Sequence, residues 1–287
     1  MDAIKAITSD RVTFRKDAVS YEPLNYYGKN IISTEMSEWK RHRAIAAPAF
    51  SEANNALVWT ETLRIITDWF NQLDATQRTE KSASNNAFSD LAIEVVSPMA
   101  TLLITSAAGF GRRVSWEDDS AAPASGYTLT LRSAVITAVE NFFFRMLTPD
   151  WFPAISSIVK VPFLSARVHA TQQAFEELGR YMLELVSSAR ASVVEGRSSA
   201  SSAALLHNLV EANTSPEGGS KCLSDGELLS NIFSFLLAGH ETSAHSLGFA
   251  ISLLALHPEA QSKMYAEVRK VWPEGSGTVG SSSVSFD

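Results

Sequence analysis

Cysteine is nearly absent: Cys222 stands alone in 287 residues. No disulfide can form within the chain, so a stapled secreted scaffold is excluded. No apolar run reaches the roughly 18 residues that cross a bilayer, and the opening "MDAIKAITSDRVTFRKD" lacks the apolar core of a secretory leader. The chain as given is therefore expected neither to span a membrane nor to carry a signal peptide. Basic residues are the minority, 24 Lys and Arg against 31 Asp and Glu, for a formal charge of −7. With no basic stripe, a nucleic-acid partner is disfavoured. Strand-like alternation is almost missing, and no internal repeat is found.

What is present reads as helix. With 45% hydrophobic residues the chain can bury a sizeable core. "SEANNALVWTETLRIITDWFNQL" predicts a helix with Ser51 as N-cap and Trp59, Leu63, Ile66 and Phe70 on its inner face. "TLLITSAAGFG" predicts a buried helix that stops at Gly109. "RSAVITAVENFFFRML" predicts another, closed by a turn at Pro149. A long helix follows from about Ser165, with Phe175, Leu178, Met182, Leu185 and Val186 as its stripe and Gly196 at its end. The loop "NTSPEGGSK" leads to a capping box, Ser224 with Glu227. From there a helix of about 30 residues is predicted to run through the centre of the molecule to Leu256. Pro258 opens the next helix. Residues 273–287 form a Gly/Ser-rich tail, expected to be disordered. Residues 1–272 make the folded part.

The central helix carries "LLAGHETSAH" in its middle. Zinc is the first chemistry to weigh. The metalloprotease pattern needs two histidines four apart on one face. His240 and His245 are five apart and diverge by about 140°, and position 244 is Ala, so no zinc is expected. The plain alternative is that Glu241 and Thr242 are satisfied core polars and that Gly239 permits a helix crossing. Against it stand several costs at one place. Gly inside a helix costs about 1 kcal/mol relative to Ala. A buried carboxylate is expensive unless paired. A mid-helix Thr can bond back to the carbonyl four residues earlier, here Ala238, and bend the helix. Together they predict a local distortion with chemistry beside it.

"AGHETS", Ala238–Ser243, resembles the central-helix motif of the cytochrome P450 haem-thiolate monooxygenases, and the phrasing is nearest to eukaryotic microsomal members. "EWKRHR" is similar to that family's Trp-x-x-x-Arg helix, through Trp39 and Arg43. "YGKNIIS", "AAGFGRRVSW" and "LLALHPEAQSKMYAEV" agree in order. The likeness runs over nearly the whole chain, roughly from the family's second helix to just past its long central helix. It implies a mainly α, partial cytochrome P450 fold. Carried over, Trp39 and Arg43 hold a haem propionate, and Ala238 and Gly239 let haem and oxygen approach. Thr242 is the proton-delivering hydroxyl, with Glu241 its acid neighbour. Ser234 and Leu237 face the substrate. Tyr26, Ile32 and Phe142–Phe144 are weaker pocket candidates, for which plain core packing is the better reading. The physical chemistry agrees for Arg43, a permanent planar cation suited to a carboxylate. The plain alternative for the Trp39 and Arg43 pair is an ordinary amphipathic helix with Lys40, Arg41 and His42 facing solvent; His42 is also a candidate propionate neighbour, for which solvent exposure is the better reading.

The resemblance further implies haem as cofactor, electrons from NADPH through a reductase, a small apolar substrate, and the cytoplasmic face of the endoplasmic reticulum membrane. One departure is severe. The family's Cys loop and Glu-x-x-Arg helix, which should follow the central helix, are missing. Cys222 precedes that helix and lacks the loop's pattern. Thiolate ligation drives O–O cleavage, so the chain is expected to be a fragment that is inactive alone. A non-catalytic helical remnant with a binding role is the competing expectation.

Overall fold

The structure, a computed structural model, describes residues 2–10, 12–79, 97–113, 123–148, 162–194, 204–214 and 222–271. Among them the backbone is 81% helical with no strand, as the scarcity of alternating patterns predicts. The α-helices are α1 (Asp2–Ser9), α2 (Met36–Ala46), α3 (Glu52–Thr79), α4 (Ser97–Ile104), α5 (Leu131–Glu140), α6 (Phe142–Leu147), α7 (Pro162–Val194), α8 (Ala204–Thr214), α9 (Asp225–Leu256) and α10 (Pro258–Val271). The chain divides into two compact units. The first holds residues 1–48, 134–197 and 207–234; the second holds 49–133, 198–206 and 235–287.

The first unit is built on aromatic rings. Tyr26, Tyr27, Phe142, Phe175 and Phe233 meet with centroids 4.7–6.5 Å apart, the offset geometry such rings prefer. The Tyr27 hydroxyl donates to the Phe175 carbonyl at 2.5 Å. Tyr26 and Phe142 thus serve packing, whereas Phe143 is exposed and Phe144 lies under the Arg167 guanidinium. On α7, Phe175, Leu178, Met182 and Val186 are buried as the stripe predicts. One close approach demands glycine on both sides. A β-carbon on Gly28 would stand 2.6 Å from the Gly226 carbonyl carbon, and one on Gly226 would stand 2.8 Å from the Tyr27 carbonyl oxygen.

In the second unit α3 packs against α4, with Ile65, Met99 and Leu103 as the core. Ser51 caps α3 as expected, its hydroxyl accepting from the Asn54 N–H at 3.4 Å. The predicted inner face of α3 is corrected: Phe70 is exposed, and the buried residues are Glu61 and Ile65. Glu61 goes inward because Arg64 Nε at 2.9 Å and Arg113 Nε at 2.7 Å meet its two oxygens, and a paired carboxylate can be buried. Beyond Ile104 the helix widens into a π turn over Thr105–Gly109. The reversal falls at Gly111, with φ +71°, two residues later than predicted.

Two further expectations change. The single helix predicted over 132–147 breaks at Asn141, which leaves the α region (φ −101°, ψ 11°). α9 matches its predicted limits, but among the described residues its second half is mostly uncovered. Leu228, Ile232, Phe233 and Leu236 are buried, while Phe249 is 70% and Leu256 74% exposed. The tail at 273–287, Pro149, Gly196 and most of the "NTSPEGGSK" loop lie outside the described residues.

Candidate functional site

The α2 helix presents two faces within the first unit. Its outer flank carries Trp39 and Arg43, one turn apart, with the guanidinium 5.5 Å over the indole, a cation–π stack. Arg43 is exposed, and no carboxylate among the described residues lies within ion-pair distance of it. Its inner face is not solvent-exposed, contrary to expectation. His42 is 1% exposed, and its Nδ1 accepts from Asn231 Nδ2 at 2.8 Å. Arg41 grips Glu227 through both terminal nitrogens, at 2.5 and 3.0 Å. These residues turn inward because α9 offers a carboxylate and an amide one turn apart at its start.

Glu227 is also the predicted capping-box acid. Ser224 N–H donates to its carboxylate at 2.9 Å, and Glu227 N–H donates to Ser224 Oγ at 3.2 Å. Burial works to raise its pKa, but the Arg41 fork, the Ser224 N–H and their charges prevail and hold it at about 2. Burial lowers the His42 pKa against the pull of Glu227. Since Nδ1 accepts, the proton sits on Nε2, which faces Glu227 Oε1 at 3.5 Å without closing to a hydrogen bond.

In the second unit, α9 continues through Ala238–Ser243. Thr242 Oγ1 donates to the Ala238 carbonyl at 2.6 Å, the back-bond that the sequence anticipates. The predicted distortion of α9 does not occur: the helix is unbroken α from Asp225 to Leu256. The widened turn lies instead at Thr105–Gly109, opposite Gly239. A β-carbon on Gly239 would stand 3.2 Å from Thr105 Cγ2, so this glycine serves a close crossing. Glu241, Thr242 and His245 are exposed, and His245 Nδ1 donates to the Glu241 carbonyl at 2.8 Å. His240 is buried, 4% exposed, and burial lowers its pKa against the opposing pull of the Pro98 backbone. The two histidines share no face, and no metal-binding cluster is found among the described residues.

A cavity of about 490 Å³ opens here, lined from α9 by Phe235, Ala238, Gly239 and Ser243 and from α3 and the π turn by Asn54 and Thr105, among others. It is mostly apolar, with the Asn54 Oδ1 acceptor buried and unpaired. Neither Ser234 nor Leu237 lines it. Ser234 is buried in the first unit and its hydroxyl turns back to Ser230 O at 2.8 Å. Ile32 is half-buried, and Lys16 Nζ donates to its carbonyl.

Sequence reasoning missed Arg41, His42, Asn231 and Thr105. The first three had a usable signal: Asn231 follows Glu227 by one turn, so both project from the same side of α9. Thr105 had none, since a π turn has no distinct hydrophobic period.

The model of the family described as "Cytochrome P450" matches residues 2–282. The chain belongs to the cytochrome P450 family. It is similar to "Cytochrome P450 monooxygenase 124" of Postia placenta, 37% identical over 95% of this chain and 49% of that protein. It is also similar to "Cytochrome P450 monooxygenase AOL_s00215g278" of Arthrobotrys oligospora, 26% identical over 97% of this chain and 47% of the relative. The chain thus spans about half the length of these curated relatives. Among solved structures, a cytochrome P450DA haem domain superposes with a TM-score of 0.64 at 18% identity, over 94% of this chain and 53% of the other. That likeness establishes a mainly α, partial P450 fold.

The family's group is haem, and the residues present fit part of it. Arg43, stacked on Trp39 and without a carboxylate partner among the described residues, suits a propionate. Cys222, the sole cysteine, does not line the cavity. Its thiol is half-buried with Sγ 3.7 Å from the Leu223 carbonyl, and its own carbonyl is held by Arg41.

Proposed function

We propose that this chain supplies the oxygen side and the propionate grip of a haem-dependent monooxygenase that hydroxylates a small apolar substrate. The observation that carries this reading is the mostly apolar cavity on α9 lined by Ala238, Gly239 and Ser243; Thr242 does not line it, but its hydroxyl is hydrogen-bonded to the carbonyl of the lining residue Ala238. Haem, when bound, supplies the redox chemistry on dioxygen. The chain's own residues do the rest. Arg43 and Trp39 bind and orient the propionate. Ala238 keeps the helix surface low. Thr242 holds a proton at Oγ1, which it now donates to Ala238 O, and a change of χ1 turns that hydrogen outward. Glu241, next along the exposed turn, resupplies it, as general acid–base chemistry requires.

Ser234 and Leu237 are proposed to act on substrate through the packing of α9. Electrons come from NADPH through a reductase, and the working protein sits on the endoplasmic reticulum membrane. No described helix is long and apolar enough to cross a membrane. The iron ligand comes from sequence beyond this chain, and the 287-residue polypeptide alone is inactive. The test is a carbon monoxide difference spectrum. The chain reconstituted with haem is expected to lack the thiolate-type band. A longer reading frame that adds a Cys loop should show the band, with NADPH-driven product formation. A thiolate-type band from the 287-residue chain would overturn the assignment, and so would failure of the longer protein to bind haem.

A further inference from the structure

Four side chains, Arg41, His42, Glu227 and Asn231, join α2 to the first two turns of α9. The Arg41 fork takes both Glu227 oxygens. His42 accepts from Asn231 on one nitrogen and turns the other toward Glu227. Asn231 is fully used: its amide nitrogen also donates to Glu227 O at 2.7 Å, and its oxygen accepts from the Ile31 N–H at 3.0 Å. The clamp is thus fastened to α9 through both its capping acid and the next turn. Asn30 Nδ2, donating to Ser230 Oγ at 3.0 Å, ties the chain before α2 to the same stretch.

The α2 helix needs this. It has 11 residues and no side-chain N-cap, and helices so short are marginal without tertiary support. At about 100° per residue, turning His42 and Ile45 inward leaves Trp39 and Arg43 on the outer flank. The inner clamp therefore sets the rotation of α2, and that rotation sets where the Trp39–Arg43 pair points. Among the described residues the contact found for the Arg43 guanidinium is its stack on Trp39 of the same helix, so the rotation of α2 sets its direction.

We propose that His42 and Glu227 are positioning residues for a porphyrin-carboxylate grip made by Trp39 and Arg43, an inference that rests on the haem reading above. Neither touches the porphyrin. They act by holding α2 in one rotation, so that the Arg43 fork meets a carboxylate bidentately.

The test titrates the full 287-residue chain with iron protoporphyrin IX and, separately, with its dimethyl ester, whose propionates cannot pair with arginine. Binding is followed by the Soret absorbance and by tryptophan fluorescence quenching. The wild-type chain is expected to prefer the free acid by about tenfold, the value of one charge-assisted pair near 1.4 kcal/mol. Arg43→Ala should abolish the preference. His42→Leu, which keeps bulk but not the acceptor, should abolish it too, with Arg43 intact. His42→Asn, which restores an acceptor near the Nδ1 position, should recover it. A helix that merely supports the fold would lower affinity for both porphyrins alike. Arg41→Lys, a milder change that keeps the charge but loses the fork, serves if His42→Leu does not fold, and helix content by circular dichroism checks each variant. If Arg43→Ala removes the preference while His42→Leu and Arg41→Lys keep it, the positioning role is overturned and the haem reading stands. If the wild-type chain shows no preference, or Arg43→Ala leaves it intact, the haem-grip reading fails and takes this inference with it.

Discussion

Thr105 stands against the face of Gly239, with its methyl 3.2 Å from where a β-carbon on that glycine would sit. The glycine of "AGHETS" is therefore explained by packing within one unit. Gly239→Val should destabilise by about 1–3 kcal/mol, the cost of overpacking. Thr105→Ala in the same chain should recover much of that loss. Denaturant midpoints for the two single variants and the double variant form a cycle. Additive losses would show that Thr105 is not the obstacle.

Gly226 poses the same question more severely. A β-carbon there meets the Tyr27 carbonyl oxygen at 2.8 Å, and the obstacle is backbone, which cannot rotate aside. Gly226→Ala should cost more than the roughly 1 kcal/mol that its better helix propensity returns. A lower melting temperature is expected. An unchanged or higher one would mean that the Gly28–Gly226 approach is looser than drawn.

Much of this was legible before any coordinates. The Ser224–Glu227 capping box, both ends of α9 and the Thr242 back-bond rest on local rules: spacing, side-chain length and the positions of proline. What escaped depends on partners far along the chain. His42 and Arg41 read as solvent-facing because their spacing on α2 says nothing of Glu227 and Asn231, roughly 190 residues later. Glu61 shows in the sequence only its i,i+3 spacing to Arg64; its burial depends also on Arg113, 52 residues later. The π turn at Thr105–Gly109 escaped because its composition is that of an ordinary apolar helix. Trp39, Arg43 and Thr242 stood out as a pattern, yet their physical surroundings came only with the fold.

Glu61 gives a test of buried charge. It is 1% exposed and shares its oxygens between Arg64 and Arg113. Glu61→Gln keeps the shape but removes the charge, so Arg113 loses this counter-ion while Arg64 keeps Asp68 at 3.0 Å. A loss of about 1–3 kcal/mol is expected by chemical denaturation, the range for weakening a buried hydrogen-bonded group. Arg113 is largely exposed, so Arg113→Ala should cost less. The reverse ranking would place the charge balance of this cluster elsewhere.

Acid should weaken the fold early. Burial lowers the pKa of both His42 and His240 from 6.5. Between the folded and unfolded values the unfolded chain binds more protons, so stability rises with pH there. It is full above about 6.5 and declines below that as pH drops toward the folded values. Glu227 adds a second loss, beginning below 4.5 and proceeding toward about 2. Urea midpoints should be lower at pH 5.5 than at pH 7.5, and His240→Leu should flatten the difference. An identical pH dependence in that variant would mean that His240 is not buried neutral.

Thr242 separates fold from chemistry. Its side chain is exposed and its hydroxyl is satisfied by its own helix, while Ala is the better helix former. Thr242→Ala should therefore leave the melting temperature within a degree or two or raise it slightly, since exposed substitutions usually fall within about 0.5 kcal/mol. Glu241→Gln should be equally mild. In a polypeptide that completes the haem site, the same two changes are expected to lower product formed per NADPH consumed by about tenfold or more, the scale of a lost proton donor. The contrast decides the matter. A residue kept for packing would lose stability and coupling together, whereas one kept for proton delivery loses coupling alone. Unaltered coupling in both variants would remove Thr242 and Glu241 from the mechanism.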